Sequence, residues 1–341
     1  MKPEENTHVD GSNGTMPSGA SILIDTPGFT VTRINNPIQY NITWSNRVIP
    51  LADIKQVGGL VNRTSEYGMV SRKTINALRT RTSLTQHQII SARNALLKNK
   101  IMSGYNRMNA IVPRIMEEYE RDGVMVLSAR YDFPPLNLIR GILLRKQYSA
   151  SSLHRIFVQK LNAAEVLQPY DMQQYMIAEQ NDAESLFNQR NVALIAAANE
   201  LIFVNFFRSL GIALKDENEI AAEQIAEHGR AIATPDILFL DTVVINGEHV
   251  GWLDYKDYIG TNVRFLYMSN VKQAHEYEKR WGAGAICYHH GFIAGMHIPG
   301  AMLLDAHVLP IKLQNKDDTK GISGINGKKR QENRTQKVQK V

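Results

Sequence analysis

Residues 233–260 read ATPDILFLDTVVINGEHVGWLDYKDYIG, and the fold turns on how this stretch doubles back on itself. Two apolar runs, ILFLDTVVI and VGWLDY, flank Asn246-Gly247, a dipeptide suited to the tight turn of a β-hairpin. Acids sit where a buried strand should carry none. Asp236 opens the first run, and Asp254 lies deep in the second, two residues before Lys256. Side chains alternate along a strand, so Asp254 and Lys256 share a face. Register decides whether Asp236 joins them. A two-residue Asn246-Gly247 loop pairs residue 237 with 256 and turns Asp236 to the other face. A three-residue loop that includes Glu248 pairs 238 with 256 and brings all three residues together. If they act jointly, the expectation is this one-residue offset or a bulge at Gly247.

Two carboxylates and an ammonium at one sheet edge suit a hard divalent cation, Mg2+ or Mn2+, with Asp236 and Asp254 as oxygen ligands. Lys256 would balance charge and orient or activate a water attacking a phosphodiester. Upstream, Glu200 is the only acid between Glu184 and Asp216 and sits among apolar residues in NVALIAAANELIFVNFFRSLG. An unpaired buried glutamate is costly, so Glu200 is a further candidate metal ligand. Downstream, Gln273 and Tyr277 lie four residues apart in a segment of helical period, RFLYMSNVKQAHEYEKRW, and so share a face. That face could hydrogen-bond a DNA phosphate or a water at the metal. Glu217 and Glu219, in the polar KDENE, read as solvated. His289 and His290 lack the paired Cys/His spacing of a zinc site.

The 341 residues are 43% hydrophobic and 21% charged, room enough for two domains with a sizeable core. The sequence shows no apolar run near membrane length, and the N-terminus MKPEENTHVDGSNGTMPSGA has no apolar signal core. The expectation is a chain that is neither secreted nor membrane-bound. Cys287 is the single cysteine, which excludes an internal disulfide and fits a reducing compartment. Charge is strongly divided. Residues 44–160 carry 19 Lys/Arg against 7 Asp/Glu, residues 161–311 carry 9 against 19, and residues 312–341 carry 9 against 3. A basic half commonly meets a polyanion, and clustered acids can hold a metal.

Residues 1–43 are polar and predict disorder or loose strand. Residues 44–165 have helical period. Ser83 with Gln86 forms a capping box before LTQHQIISARNALLKNK, and Pro113 should kink or divide the following helix. VMVLSARYD, PPLNLIRGILLRK and SSLHRIFVQK then make three short helices with the proportions of a helix-turn-helix unit, although the bare pattern favours a structural helical bundle with a basic rim. In the first case Arg140, Arg145, Lys146, Arg155 and Lys160 would face phosphate. Residues 166–311 read as two helices, the second apolar nearly all round and stopping at Gly211, and then a sheet with a helix against it, in the α/β class. Residues 312–341 form a basic, low-apolar tail suited to nuclear import or nucleic-acid contact.

Glu in a helix, Pro-Asp opening a strand, Asp-x-Lys on the next and Gln-x-x-x-Tyr on the following helix together resemble the PD-(D/E)xK nuclease superfamily. Thr234-Pro235-Asp236-Ile237, Trp252-Leu253-Asp254-Tyr255-Lys256, Gln273, Trp281-Gly282-x-Gly284 and Tyr288-x-x-Gly291-Phe292-Ile293 narrow this. They resemble the TPD-motif family, that of the codanin-interacting nuclease, related to archaeal Holliday-junction resolvases. LSARYDFPPLNLIRGILL resembles a segment of that family's N-terminal helix-turn-helix region. The resemblance implies a restriction-endonuclease-like α/β domain behind an all-α helix-turn-helix region. It implies residence in nucleus and cytoplasm, and a codanin-like partner linked to chromatin assembly. The carried-over site is Asp236, Asp254 and Lys256, with Glu200 and Gln273. Related resolvases dimerise to cut paired strands, so a homodimer is a further expectation, although no separate dimer signature stands in the sequence. Two positions depart from the pattern: Asp254 stands where relatives more often carry Glu, and Tyr255 replaces a small residue.

The function expected is a divalent-metal-dependent nuclease acting on DNA, possible structure selectivity included, with Tyr277 and the helical cations contacting nucleic acid. The alternative is a catalytically silent adaptor that keeps the same fold to dock a protein partner.

Overall fold

The computed structural model describes residues 19–158 and 163–315; Lys160, the first 18 residues and the tail from residue 316 lie outside them. The chain opens with strands β1 (Ala20–Thr26), β2 (Phe29–Asn35), β3 (Ile38–Trp44) and β4 (Val48–Ile49). Helices α1 (Leu51–Arg63), α2 (Arg72–Arg79), α3 (Gln86–Tyr131), α4 (Pro135–Arg145), α5 (Ala150–Phe157), α6 (Pro169–Asn181) and α7 (Leu186–Ser209) follow. Then come β5 (Leu214–Asp216), α8 (Glu217–His228), β6 (Ile237–Phe239), β7 (Thr242–Ile245), β8 (Glu248–His249) and β9 (Trp252–Lys256). The last elements are α9 (Arg264–Trp281), β10 (Gly284–Tyr288), β11 (Phe292–Ile293) and β12 (Ala301–Asp305). A helical region thus precedes a mixed α/β region. One sheet has the order β1-β2-β3-β7-β8, the other β12-β10-β9-β6-β5.

Residues 20–44, expected as disorder or loose strand, are instead a three-stranded meander. It pairs through β3 with β7 in parallel, Gln39 opposite Thr242 and Ile42 opposite Ile245. Period-two burial of Phe29, Val31, Tyr40, Ile42 and Trp44 is the cause. Polar composition concealed it, because the outward face of a two-faced strand carries Thr, Asn and Gln. The aromatic face meets α7, where Phe203, Phe206 and Phe207 pack between the two sheets with Trp44, Phe239 and Tyr255.

The helical region differs in detail from expectation. The cap of α3 is Thr85 with Gln88, two residues beyond the Ser83–Gln86 box, because Asp53 holds the Ser83 hydroxyl and N–H at 2.7 and 2.9 Å. The helix runs through Pro113 and breaks at Gly123 (φ 72°), where Gln174 of α6 accepts the Val124 N–H at 2.8 Å. The three short helices exist, the first as the end of α3. Tyr170, Met172, Tyr175 and Ala178 of α6 pack into this helical core, so it extends past the boundary expected at residue 165.

α7 is not buried all round: Leu194 and Leu201 are 40% and 43% exposed. Its Asn188–Ser209 stretch, with mean hydropathy 1.4, is long and apolar enough to cross a membrane by length and composition, which corrects the expectation of no such run. Its aromatic face belongs to the core described above.

Candidate functional site

The 233–260 stretch does not form one hairpin. Asn246 (φ 52°) and Gly247 (φ 87°) make a two-residue turn between β7 and β8, with Ile245 opposite Glu248. Both residues take the left-handed conformation that type I′ turns require. Carried onward, that register would set Ile237 opposite Lys256; β6 and β9 instead pair Ile237 with Leu253 in the other sheet. The offset is three residues, and it arises where the strands change sheets, not at Gly247. Leu240 N–H turns to Ala213 O at 2.8 Å and Gly251 N–H to Ala283 O at 2.8 Å. Gly251 is required there, because a Cβ would lie 2.4 Å from Trp281 O. An odd offset has the same parity as the one-residue shift expected. Asp236 therefore falls opposite Asp254, and the three residues do share a face.

Leu253 and Tyr255 point to α7, whereas Trp252 packs with α9, and the alternation sends Asp254 and Lys256 to the α9 side. Asp254 is 2% exposed and forms an ion pair with Lys256, whose ammonium also donates to Gln273 Oε1 at 2.8 Å. Gln273 Nε2 donates to Tyr277 OH at 2.7 Å and lies 3.4 Å from Asp254 Oδ1. Tyr277 OH in turn donates to Thr234 O at 2.9 Å. Asp236, 8% exposed, accepts the Tyr255 N–H at 2.7 Å.

On the other flank of Asp236 stand Glu200 and Glu217, with carboxylate oxygens of all three within 4.8 Å of one another. Glu200 comes from the inner face of α7 and Glu217 from the first turn of α8. Burial, then the charges of Asp254 and Glu200, push the Asp236 carboxyl well above the usual carboxylate range, against the pull of Lys256. Lys256 shows the reverse balance. Burial alone would lower it, but Asp254 and Asp236 outweigh that and raise it above an ordinary lysine.

Glu200, Asp236, Asp254, Lys256 and Gln273 are thus brought together. Glu217 is a correction: it is half-buried in the acid cluster and accepts the Thr234 hydroxyl at 3.1 Å. The usable signal was the Asp216–Glu219 capping box, which occupies Glu219 and leaves Glu217 facing inward. Tyr277 is 3% exposed and its hydroxyl is spent on Gln273 and Thr234, so it faces inward instead of outward toward a nucleic acid as expected. Lys146 is also withdrawn, paired with Asp171 at 3.0 Å. Arg140, Arg145 and Arg155 are exposed as expected. His289 Nδ1 lies 2.6 Å from Asp257 Oδ1, and its ring stacks on His290 at 4.3 Å, an arrangement that does not converge on a metal.

Both the acid cluster and the lysine pair lie inside a stretch with known relatives. Residues 169–307 match the TPD sequence-motif family. That family is described as a protein of unknown function with the TPD sequence motif. An uncharacterized protein of Acanthamoeba polyphaga mimivirus is 32% identical over 123 residues, covering 35% of this chain and 42% of that protein. No solved structure matches. The TPD-motif segment thus includes α6 to β12, with Glu200, Glu217, Asp236, Asp254, Lys256, Gln273 and Tyr277, while Arg140, Arg145, Lys146 and Arg155 lie before it.

Proposed function

We propose that this protein is a divalent-metal-dependent nuclease that hydrolyses DNA phosphodiester bonds, with the PD-(D/E)xK type of active site. The observation that carries this reading is the meeting of Glu200, Glu217 and Asp236 within 4.8 Å, one strand away from the Asp254–Lys256 pair. Two buried and one half-buried hard-oxygen donors that repel one another, one with a carboxyl already pushed up, form a donor set that a Mg2+ or Mn2+ ion would satisfy. Asp236, Glu200 and Glu217 would hold that ion, with Asp254 beside them. The ion, when bound, supplies charge stabilisation for the phosphoryl oxygens.

Lys256 remains protonated through neutral pH because its affinity for a proton is raised. It therefore acts as a donor and a fixed positive charge toward a scissile phosphate or its attacking water, and not as a base. Gln273 and Tyr277 tie that ammonium to the Thr234 backbone, so its position is set by α9 and by the TPD tripeptide itself. Exposed Arg140, Arg145 and Arg155 would contact the DNA backbone from the helical region.

The test is a cleavage assay with Mg2+ or Mn2+ on duplex, flap and four-way DNA, comparing wild type with Asp254→Ala. Metal-dependent cleavage lost in the variant is expected. If folded wild type leaves every substrate intact, the nuclease reading fails. A second reading, a silent adaptor for a codanin-like partner, draws on the exposed Leu194 and Leu201 of α7. It predicts that calorimetry finds no Mn2+ binding dependent on Asp236.

A further inference from the structure

Of the three clustered carboxylates, Glu217 comes from the least anchored element. Asp236 is fixed by the Tyr255 N–H at 2.7 Å, and Glu200 rises from α7, whose aromatic face lies in the core between the sheets. α8 has no such footing, since Ile220 is the only buried residue among its twelve. Ion pairs hold its start: Arg208 meets Asp216 at 3.1 Å and Glu219 at 2.7 Å, and Lys215 meets Glu223 at 2.6 Å. These pairs are exposed or partly exposed, and such pairs fix an element only weakly. Glu217 must nonetheless sit beside Asp236 and Glu200, whose like charges push it away.

One neutral side chain opposes that push. Gln224 stands seven residues after Glu217, two helical turns on and therefore on the same face. It is half-buried and uses both ends of its amide. Its Oε1 accepts the N–H of Ile232 at 2.6 Å and of Ala233 at 3.0 Å, and its Nε2 donates to Ala233 O at 2.6 Å. The next residue, Thr234, gives its hydroxyl to Glu217 at 3.1 Å and takes the Tyr277 hydroxyl on its carbonyl at 2.9 Å. α8 thus grips the segment leading to Asp236 at two points, Gln224 on Ala233 and Glu217 on Thr234, joined by two turns of helix. Without the first grip, the repulsion from Asp236 and Glu200 acts on a helix with little apolar anchorage.

We infer that Gln224 is a positioning residue of the carboxylate cluster: by latching α8 to Ile232 and Ala233 it holds Glu217 against Asp236, so that a divalent cation meets three carboxylates instead of two. The inference rests on the cation site proposed above. Gln224 reaches that site through Glu217, because Asp236 has its own anchor in the Tyr255 N–H. Cation binding and the seating of α8 then support each other, as any two coupled equilibria must.

Calorimetric titration of the full chain with Mn2+ tests this on wild type, Gln224→Met, Glu217→Gln and the double variant. Methionine keeps the length and apolar packing of Gln224 and removes all three hydrogen bonds. Removing a partner that orients a metal ligand weakens metal binding, so Gln224→Met should cost roughly tenfold in Mn2+ affinity. In the Glu217→Gln background, where Glu200 and Asp236 remain as ligands, the same substitution should change affinity by no more than about twofold, since the carboxylate it positions is gone. Should Gln224→Met not fold, Gln224→Glu takes its place in the cycle, because it keeps the acceptor for both N–H groups and loses only the donor to Ala233 O. Wild-type affinity in the Gln224 variant overturns the inference. So does an equal loss in both backgrounds, which would make Gln224 a support of the fold at large. Absence of Mn2+ binding by wild type is a different failure, which overturns the cation site and the inference with it.

Discussion

Two buried aspartates, each paired with a lysine, define how differently the two regions of this molecule handle charge. In the helical region, Asp171 is 1% exposed and its carboxylate takes the Lys146 ammonium at 3.0 Å and the hydroxyls of Tyr119 and Tyr148 at 3.1 and 2.9 Å. One negative charge meets one positive charge and two neutral donors. In the α/β region, the Asp254–Lys256 pair stands beside Asp236, Glu200 and Glu217. There, four carboxyl groups crowd around the ammonium of Lys256. Burial is similar at both places, so the difference lies in balance. A balanced network holds helices together, whereas an unbalanced one gives up stability and, on the reading proposed above, would regain it by binding a cation.

Removing each aspartate should break the comparison in opposite directions. Asp171→Ala leaves Lys146 with only the exposed Glu120 at 3.5 Å and two phenols without this acceptor, and should cost roughly 3 kcal/mol, the low end for breaking a buried pair because Lys146 is partly exposed. Asp236→Asn keeps an oxygen for the Tyr255 N–H and removes a repelled charge. It should raise the melting temperature of metal-free protein while abolishing the rise that Mn2+ gives wild type, itself worth about 2.7 kcal/mol at a hundred times Kd. Thermal melts of both variants with and without Mn2+ decide this. A destabilised, still Mn2+-responsive Asp236→Asn would erase the distinction drawn here.

The pH dependence sharpens the same contrast. Asp236 has its folded carboxyl raised, so the penalty for ionising it is complete above the folded pKa and vanishes below the unfolded value of about 3.9. Metal-free protein should therefore gain stability as pH falls from neutrality through that window, until other carboxylates protonate. Asp182 in the helical region, raised by burial to about 6, contributes with the same sign between about pH 6 and 4. Denaturant midpoints against pH for wild type, Asp236→Asn and Asp182→Asn separate the two. Only the first substitution should also remove the proton release that accompanies Mn2+ binding, and equal release in both variants would refute the assignment.

The site was more legible in the sequence than the fold around it. Asp236, Asp254 and Lys256 announce themselves because a charge inside an apolar strand is costly, and the cost is visible without coordinates. Their shared face was legible by parity too, although its cause is a sheet exchange at Leu240 and Gly251 and not the turn at Gly247. The exchange was hidden because the partners of β7 lie about 200 residues upstream, in strands whose polar faces imitate disorder. Long-range pairing leaves no local periodicity to read. Glu217 was missed for a related reason: KDENE is polar throughout, and beyond the Asp216–Glu219 capping box the three-dimensional approach of Thr234 and Asp236 is what distinguishes one acid from its neighbours.

Tyr277 offers the smallest expected effect and the finest probe of how the unbalanced site is held. Its hydroxyl receives Gln273 Nε2 at 2.7 Å and donates to Thr234 O at 2.9 Å, linking α9 to the tripeptide that carries Asp236. Tyr277→Phe keeps the ring against Trp252 and removes only the hydroxyl, so the fold should lose about 1 kcal/mol, one ordinary buried hydrogen bond. If the hydroxyl matters only for stability, cleavage measured well below the melting temperature should not change. If it positions Gln273, and through it Lys256, kcat should fall by roughly tenfold with Mn2+ affinity intact, because the altered group is a donor to the reacting phosphate and not a metal ligand. Loss of Mn2+ affinity in Tyr277→Phe would instead place the hydroxyl's role on the Thr234–Glu217 side of the site.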